Sequence, residues 1–335
     1  MDTSKLKPND SRVRHVNTTI RGKNVRYILG EPQGTKKDTM VLVHGWPDMA
    51  FGWRNQIPYF MSLGYQVVVP DMVGYAGTDA PMELEKYSLK SVAEDIRELA
   101  AQFVGEDGQI ILGGHDWGGM VVWRTAQWFP KLIKGVFSVC TPFAQSQPQY
   151  IPLEAIIESG HLLNFRYQLQ LMGSEAQEKL QGRDKMRQLL LALYGARTPE
   201  GEVGFSTLDG FYFDRLDRLV STPLLPEEEL EYYTDQYMLR DAPQARGLFN
   251  WYRTRPINFE EERPLAEANA KIEMPALFIG ATHDDALPRS MGAAMGQHFT
   301  NLTRTEVEAS HWALTEAAAA VNADVTAWLK KQSLL

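Results

Sequence analysis

The chain has 335 residues, of which 44% are hydrophobic, and its net charge is −8 at pH 7. This composition supplies a large buried core, and the length fits one α/β core that carries an insertion. The negative charge gives no reason to expect nucleic acid or a membrane as a partner, so we expect a small-molecule ligand. Cys140 is the only cysteine, which excludes intrachain disulfides and cysteine-rich metal sites, and we expect it to fill space at the end of a strand.

Neither end of the chain carries a strong targeting signal. The N-terminal segment MDTSKLKPND is polar, and no run of about 18 apolar residues is present that could span a bilayer. We therefore expect a soluble, cytoplasmic protein, with a peroxisomal location as the minor alternative because KKQSLL loosely resembles that address. The sequence leaves open whether the chain is a monomer or a homodimer.

Short apolar runs bounded by turn residues recur along the chain and are typical of strands buried on both faces. They occupy residues 25–30, 40–45, 65–71, 109–114, 134–140 and 275–281, and residues 302–309 are predicted as a further strand. Helical patterns lie between them, most clearly over residues 88–104, where apolar residues recur at three- and four-residue steps. This alternation predicts an α/β protein with a mostly parallel central sheet flanked by helices.

The alternation of strands and helices stops after residue 143 and resumes near residue 271. The interval is rich in helix formers and is punctuated by prolines. We therefore predict a helical cap, or lid, domain over residues 143–255, inserted into a core formed by residues 1–142 and 256–335.

The segment LGGHDWGG places an aspartate between glycines directly after a predicted strand. A sharp strand-to-helix turn leaves no room for a Cβ beside it, so small–x–nucleophile–x–small is the pattern of a nucleophile elbow. Residues 114–118 have this pattern with Asp116 in place of the usual serine. The alternative is a glycine-rich turn in which Asp116 only caps the next helix.

A second turn, LVHGWPD, follows an earlier strand and favours the elbow interpretation. It places the backbone N–H of Trp46 where, together with the N–H of Trp117, it would form an oxyanion hole near Asp116. Both loops follow the carboxyl ends of strands, which is where open α/β sheets bind ligands.

Two downstream residues complete a predicted charge relay. They are Asp284 in GATHDDALP and His311 in VEASHWALTE, and the order nucleophile, acid, histidine is the one that this architecture uses. Asp285 competes with Asp284 for the role of the acid, and motif position favours Asp284. His44 and His115 lie inside the motif turns, and we interpret them as structural residues that hydrogen-bond the loops.

Together, the segments HGWP, GGHDWGG, FRYQLQ, NWYR, HDDALP and SHWALTE resemble the soluble epoxide hydrolases of the α/β-hydrolase superfamily. The resemblance runs from residue 44 to residue 316 and so covers nearly the whole chain. It implies the α/β-hydrolase fold with an inserted cap. It also implies that Tyr167 and Tyr252 are the two cap tyrosines that bind the epoxide oxygen.

The implied chemistry explains the aspartate at the elbow. A serine that attacked an epoxide carbon would leave an ether, whereas Asp116 leaves an ester that water can hydrolyse to release a vicinal diol. His311 and Asp284 would activate that water, and the reaction needs no metal or organic cofactor. Hydrophobic side chains beside the motifs are expected to line the substrate site: Trp46, Trp117, Phe165, Leu169 and Trp251.

Two other functions are alternatives. A haloalkane dehalogenase would use the same aspartate, with the Trp117 indole N–H on the leaving halide, but a halide has no need of a proton from the two tyrosines. A non-catalytic receptor on the same scaffold is less favoured, because such proteins tend to lose a member of the catalytic set.

Overall fold

The computed structural model, which describes residues 1–335, has ten strands, and the seven predicted strand segments correspond to seven of them. The strands are β1 Val13–Ile20, β2 Lys23–Gly30, β3 Asp38–Val43, β4 Tyr65–Pro70, β5 Ile110–His115, β6 Ile133–Val139, β7 Phe205–Ser206, β8 Gly210–Phe211, β9 Ala276–Ala281 and β10 Leu302–Val307. Eight of them make one sheet in the order β1-β2-β4-β3-β5-β6-β9-β10, and β7 pairs only with β8. The six strands from β4 to β10 in that order pair in parallel, whereas β2 is antiparallel to both of its neighbours, β1 and β4. The prediction of a mostly parallel sheet is therefore confirmed.

Twelve α-helices alternate with the strands or follow them. They are α1 Ile57–Ser62, α2 Leu89–Val104, α3 Trp117–Trp128, α4 Leu153–Glu158, α5 Tyr167–Met172, α6 Glu175–Lys179, α7 Arg183–Leu193, α8 Glu227–Tyr237, α9 Arg246–Asn250, α10 Arg255–Ala268, α11 Ala313–Glu316 and α12 Ala318–Lys331. The predicted helix over residues 88–104 is α2, which starts one residue later because the Ser88 hydroxyl caps it by accepting the N–H of Ser91 at 3.2 Å. None of the twelve combines the length and the apolar character that a bilayer crossing requires.

The chain forms two compact units. The first unit comprises residues 1–72, 88–148 and 257–335 and contains the large sheet, and the second unit comprises residues 73–87 and 149–256 and is mainly helical. The predicted cap, residues 143–255, lacks the segment 73–87.

That segment groups with the second unit through specific contacts. The indole N–H of Trp251 donates to the carbonyl of Val73 at 3.0 Å. Gly74 lies so close to the backbone of Gly247 that a Cβ would overlap it. These contacts join segments far apart in the sequence and are not accompanied by a regular spacing of hydrophobic residues, so the sequence does not predict them.

The sheet order explains where polar loops collect. The central strands β3, β4, β5 and β9 are almost entirely buried. Because parallel strands end at the same edge of a sheet, the loops after β3, β5, β6, β9 and β10 lie side by side at its carboxyl edge. Asp116, Asp284 and His311 all belong to these loops.

Candidate active site

Asp116 occupies the turn between β5 and α3 with backbone angles φ 52° and ψ −124°. A positive φ is unusual for a residue with a side chain and strains the backbone. The neighbouring glycines make the turn possible, because a Cβ on Gly114 would overlap the carbonyl of Gly118, and a Cβ on Gly118 would overlap that of Val43. The Asp116 side chain makes no capping hydrogen bond to the helix. The turn therefore has the geometry of an elbow and not that of a simple helix cap.

The Asp116 carboxylate contacts two of the predicted site residues. The backbone N–H of Trp46 donates to its Oδ1 at 2.7 Å, and Nε2 of His311 lies 3.4 Å from its Oδ2. The approach of the Trp46 loop depends on Gly45, since a Cβ at that position would overlap the Asp116 side chain. Trp117, the other predicted oxyanion residue, is the first residue of α3 and is half-buried.

His311 is held on its other side by Asp284. Its Nδ1 lies 2.8 Å from Asp284 Oδ2, and Asp284 Oδ1 accepts the N–H groups of Ala286 and Leu287, each at 2.9 Å. Asp284 is only 4% exposed, whereas Asp285 is exposed to solvent. Of the two candidate acids, Asp284 is the one that contacts His311.

The charges of these three groups stabilise one another. Burial works to raise the pKa of Asp116, but the hydrogen bond and the charge of His311 lower it below its ordinary value. Burial also opposes the shift at Asp284, yet His311 lowers that pKa to about 2. Burial works to lower the pKa of His311, and the two carboxylates raise it well above its ordinary value. The three groups form a charged triad, in which the two carboxylates favour the protonated form of the histidine between them.

The two histidines of the motif turns are buried and neutral. Nε2 of His44 accepts the N–H of Met72 at 2.9 Å, so its Nδ1–H donates to the carbonyl of Gly45, also at 2.9 Å. Nε2 of His115 lies 2.8 Å from the carbonyl of His311 and donates to it. Burial lowers the pKa of each ring to about 4. Both residues hydrogen-bond the site loops, in agreement with their structural interpretation.

The two predicted cap tyrosines are neighbours within the second unit. Tyr167 begins α5, and Tyr252 lies in the 3₁₀ turn that follows α9. Their ring centroids are 5.9 Å apart with an interplanar angle of 76°, and the two residues are 7% and 4% exposed. Residues separated by most of the unit's sequence are thus brought together as an edge-to-face pair.

The other predicted lining residues differ in their surroundings. Phe165 and Leu169 are half-buried beside Tyr167 in sequence, whereas Trp46 is almost fully buried. Trp251 is fully buried, its ring packs on Tyr75 at 6.0 Å, and its indole N–H is bound to a backbone carbonyl. This packing favours a supporting role for Trp251 within the second unit.

One histidine and cysteine cluster has the composition of a metal site. The candidate ligand atoms of His115, Cys140 and His311 lie within 4.8 Å of one another. Both ring nitrogens of His311 already contact carboxylates, so a metal ion would compete with the charged triad for the same side chain. We assign no metal to this cluster.

The sequence patterns give no role at the site to the turn after β6. The hydroxyl of Thr141 donates to the carbonyl of Asp116 at 2.6 Å, and the thiol of Cys140 lies 3.6 Å from the carbonyl of His311. The sequence feature that could have pointed to this turn is the pair of side chains Cys140 and Thr141, each able to donate a hydrogen bond, at the end of the strand next to β5.

Comparison with known proteins identifies the family. A family model described as alpha/beta hydrolase fold matches residues 38–318. Epoxide hydrolase srdG of Neurospora crassa is 37% identical to this chain over 99% of the chain and 99% of its own length. Bifunctional epoxide hydrolase 2 of Sus scrofa is 29% identical over 86% of this chain, but the match covers only 51% of that protein.

A solved structure agrees with the sequence relatives. Epoxide Hydrolase A from Mycobacterium thermoresistibile is 27% identical and superposes with a TM-score of 0.78, covering 95% of this chain and 98% of that one. The mostly parallel sheet, the aspartate elbow and the full-length relative together lead to one conclusion: the chain belongs to the epoxide hydrolases of the α/β-hydrolase fold.

Proposed function

We propose that this chain hydrolyses an epoxide to a vicinal diol through a covalent ester on Asp116. The observation that carries the proposal is an elbow aspartate whose carboxylate contacts both the amide of Trp46 and the ring of His311. An ester on a carboxylate can be hydrolysed, whereas an ether on a serine cannot, so the residue type at the elbow selects this chemistry. The similarity to proteins named epoxide hydrolases supports the same activity.

The first half of the reaction forms the ester. Asp116 is ionised at neutral pH because its pKa is lowered, and its carboxylate oxygen attacks an epoxide carbon while the ring C–O bond breaks. The oxygen that leaves the carbon needs a proton, which we assign to the phenols of Tyr167 and Tyr252. Phenols have an ordinary pKa of about 10 and so remain protonated donors at neutral pH. The two rings are neighbours, with centroids 5.9 Å apart.

The second half hydrolyses the ester. Esterification removes the negative charge of Asp116, so one of the two carboxylates that raise the pKa of His311 is lost and that pKa falls. His311 then takes a proton from water, Asp284 stabilises the imidazolium, and the hydroxide adds to the ester carbonyl carbon.

The tetrahedral oxyanion that forms in this step needs hydrogen-bond donors. Trp46 already donates its amide N–H to Oδ1 of Asp116 at 2.7 Å, and we assign the amide of Trp117 as the second donor. One such donor contributes about 3–4 kcal/mol of transition-state stabilisation in other enzymes. Collapse of this intermediate breaks the bond between the carbonyl carbon and the diol oxygen, and that oxygen takes the proton of the added hydroxide, which restores the Asp116 carboxylate. The proton held by His311 returns through solvent to the phenolate left by the first half, so that epoxide and water give the diol with the protein unchanged.

The side chains around these groups favour a hydrophobic epoxide. We propose that Trp46, Trp117, Phe165 and Leu169 contact the substrate, since aromatic and aliphatic side chains line most small-molecule sites.

Parallel assays test the class of reaction. The purified protein is incubated with styrene oxide and, separately, with a bromoalkane, and diol and free bromide are measured. The proposal predicts diol formation without bromide release. Rapid bromide release without diol would identify a dehalogenase instead, and the absence of both products would favour a non-catalytic protein.

A matched pair of aspartate variants tests the nucleophile. Asp116→Ala is expected to lower diol formation by at least about 10⁴-fold, the size of loss seen when a catalytic nucleophile is removed. Asp285→Ala removes an exposed carboxylate nearby and is expected to keep wild-type activity. Thermal unfolding of both variants checks the fold, and an active Asp116→Ala variant would contradict the proposal.

A further inference from the structure

Strand β6 has a special position relative to the charged triad. It lies in the sheet between β5, which leads to Asp116, and β9, which leads to Asp284. The turn formed by Cys140 and Thr141, called the β6 turn below, is therefore next to both loops. Cys140 has a positive φ of 67°, and its N–H donates to the carbonyl of Ile279 in β9 at 2.9 Å. The β6 turn is thus attached to the acid's strand by its backbone, which leaves its two side chains for other contacts.

The Thr141 side chain holds the peptide of the nucleophile. Thr141 is only 4% exposed, and its hydroxyl donates to the carbonyl of Asp116 at 2.6 Å. The same carbonyl accepts the N–H of Gly119 at 2.8 Å. The N–H of Met120 also donates to this carbonyl, at 3.3 Å. Because Asp116 has a strained backbone, the three donors on its carbonyl restrict the rotation that would relax the turn and move the carboxylate.

Thr141 is itself held in place by its neighbours. Its own carbonyl accepts the Ser138 hydroxyl at 2.8 Å and the Trp123 indole N–H at 3.0 Å. Gly119 packs so closely that a Cβ there would overlap the side chains of Ser138 and Thr141. The elbow helix α3 and the β6 turn are therefore in direct contact, and the Thr141 hydroxyl has little freedom to turn elsewhere.

The Cys140 side chain contacts the backbone of His311, the base, as Thr141 contacts the backbone of Asp116. Its Sγ lies 3.6 Å from the carbonyl of His311, which also accepts Nε2–H of His115 at 2.8 Å. Burial, the charge of Asp284 and a hydrogen bond to the Asp284 carboxylate raise the pKa of Cys140 well above its ordinary value, so the thiol stays protonated and acts as a donor to groups that hold the base. The base is thus fixed through its backbone as well as through its ring.

We propose that Cys140 and Thr141 are positioning residues, with Thr141 fixing the nucleophile and Cys140 fixing the base. The inference rests on the proposed function, and it assigns the two residues to different half-reactions. Asp116 attacks the substrate in the first half, so Thr141 acts on ester formation. His311 activates water only in the second half, so Cys140 acts on ester hydrolysis.

Threonine variants test the first assignment in single-turnover experiments with styrene oxide, in which the ester is measured by intact mass after rapid quenching. Thr141→Val keeps the shape and removes the hydroxyl, and it is expected to slow ester formation about tenfold, as a slight displacement of a reacting group does. Thr141→Ser keeps the hydroxyl and is expected to restore the rate.

Thr125→Val is the matched control. Its buried hydroxyl donates to the carbonyl of Val121 at 2.8 Å, so the variant loses the same kind of bond on the elbow helix without touching Asp116. It is expected to form the ester at the wild-type rate. Wild-type ester formation by Thr141→Val would overturn the assignment, as would a Thr141→Ser rate as slow as that of Thr141→Val.

Cysteine variants test the second assignment independently of the threonine variants. Cys140→Ala is expected to form the ester at the wild-type rate and to hydrolyse it about threefold more slowly, because a thiol is a weak donor. Cys140→Ser keeps a donor and is expected to hydrolyse the ester faster than Cys140→Ala. Equal hydrolysis by Cys140→Ala and wild type would overturn this part. A wild-type protein that formed no ester on Asp116 would contradict the proposed function itself, which separates the two failures.

Discussion

The first and second units present two different kinds of polar group. In the first unit, His311 lies between Asp116 and Asp284, and the pKa of each group is shifted by its neighbours. In the second unit, Tyr167 and Tyr252 pack edge to face, and neither side chain carries a charge in its ordinary protonation state. Under the proposed function the two units differ in role: ionised groups of the first unit make and break the ester, while the phenols of the second unit supply a proton. This difference is called the division of labour below.

The largest effect is expected when the second unit loses both phenols. The double variant Tyr167→Phe with Tyr252→Phe is expected to slow ester formation at least about 10³-fold, because no acid remains for the epoxide oxygen. Each single variant is expected to lose less, since the other phenol still donates. The measurement is single-turnover ester formation with styrene oxide.

A third tyrosine of the second unit provides the control. Tyr233 is buried and its ring packs on that of Tyr194, with centroids 6.0 Å apart, so Tyr233→Phe tests the loss of another buried tyrosine hydroxyl of the same unit. This variant is expected to keep wild-type ester formation. A double Tyr167 and Tyr252 variant with undiminished activity would mean that the pair only packs, and the division of labour between the units would be wrong.

A smaller effect is expected from pH and concerns the first unit. The lowered pKa of Asp116 keeps it ionised between about pH 5 and pH 8, so ester formation is expected to change little over that range. Once the ester has formed, His311 faces only one carboxylate, Asp284, and its pKa falls because one of the two groups that raise it has lost its charge. The neighbouring His115, whose pKa is lowered to about 4, stays neutral throughout.

The sign of the pH effect follows from the need for a neutral base. Below the pKa of His311 in the ester state, each unit of decreasing pH lowers the neutral fraction about tenfold. Hydrolysis is therefore expected to slow toward pH 5 while formation continues, so that the ester accumulates. The amount of ester is measured at about pH 5 and about pH 8 by intact mass after rapid quenching. Slower ester formation at low pH, without accumulation of the ester, would contradict the claim that the pKa of His311 falls when Asp116 is esterified.

Features that depend on contacts close in the sequence can be predicted from it, whereas features that depend on distant contacts are harder to predict. The elbow at Asp116 is recognisable because the constraint on Gly114 and Gly118 is local to one turn. The buried strands are recognisable from their apolar runs, whereas β1 is missed because it is a sheet-edge strand whose residues are mostly half-buried or exposed.

Contacts between segments far apart in the sequence are harder to predict. The hydrogen bond from Thr141 to Asp116 depends on β6 lying beside β5, and no hydrophobic period encodes it. The pairing of Tyr167 with Tyr252 came only from resemblance to a family, since neither residue stands in a distinctive pattern. The preference for Asp284 over Asp285 agrees with the contact to His311, because a one-residue shift exposes the neighbouring carboxylate to solvent.

The most direct test of the central claim follows an oxygen atom. A single turnover with enzyme in excess is carried out in ¹⁸O-water, and both the diol and the peptide that contains Asp116 are analysed by mass spectrometry. A covalent ester predicts that water oxygen enters the Asp116 carboxylate, while the diol takes its new oxygen from the protein. Heavy oxygen found directly in the first diol, with none in Asp116, would contradict the ester mechanism.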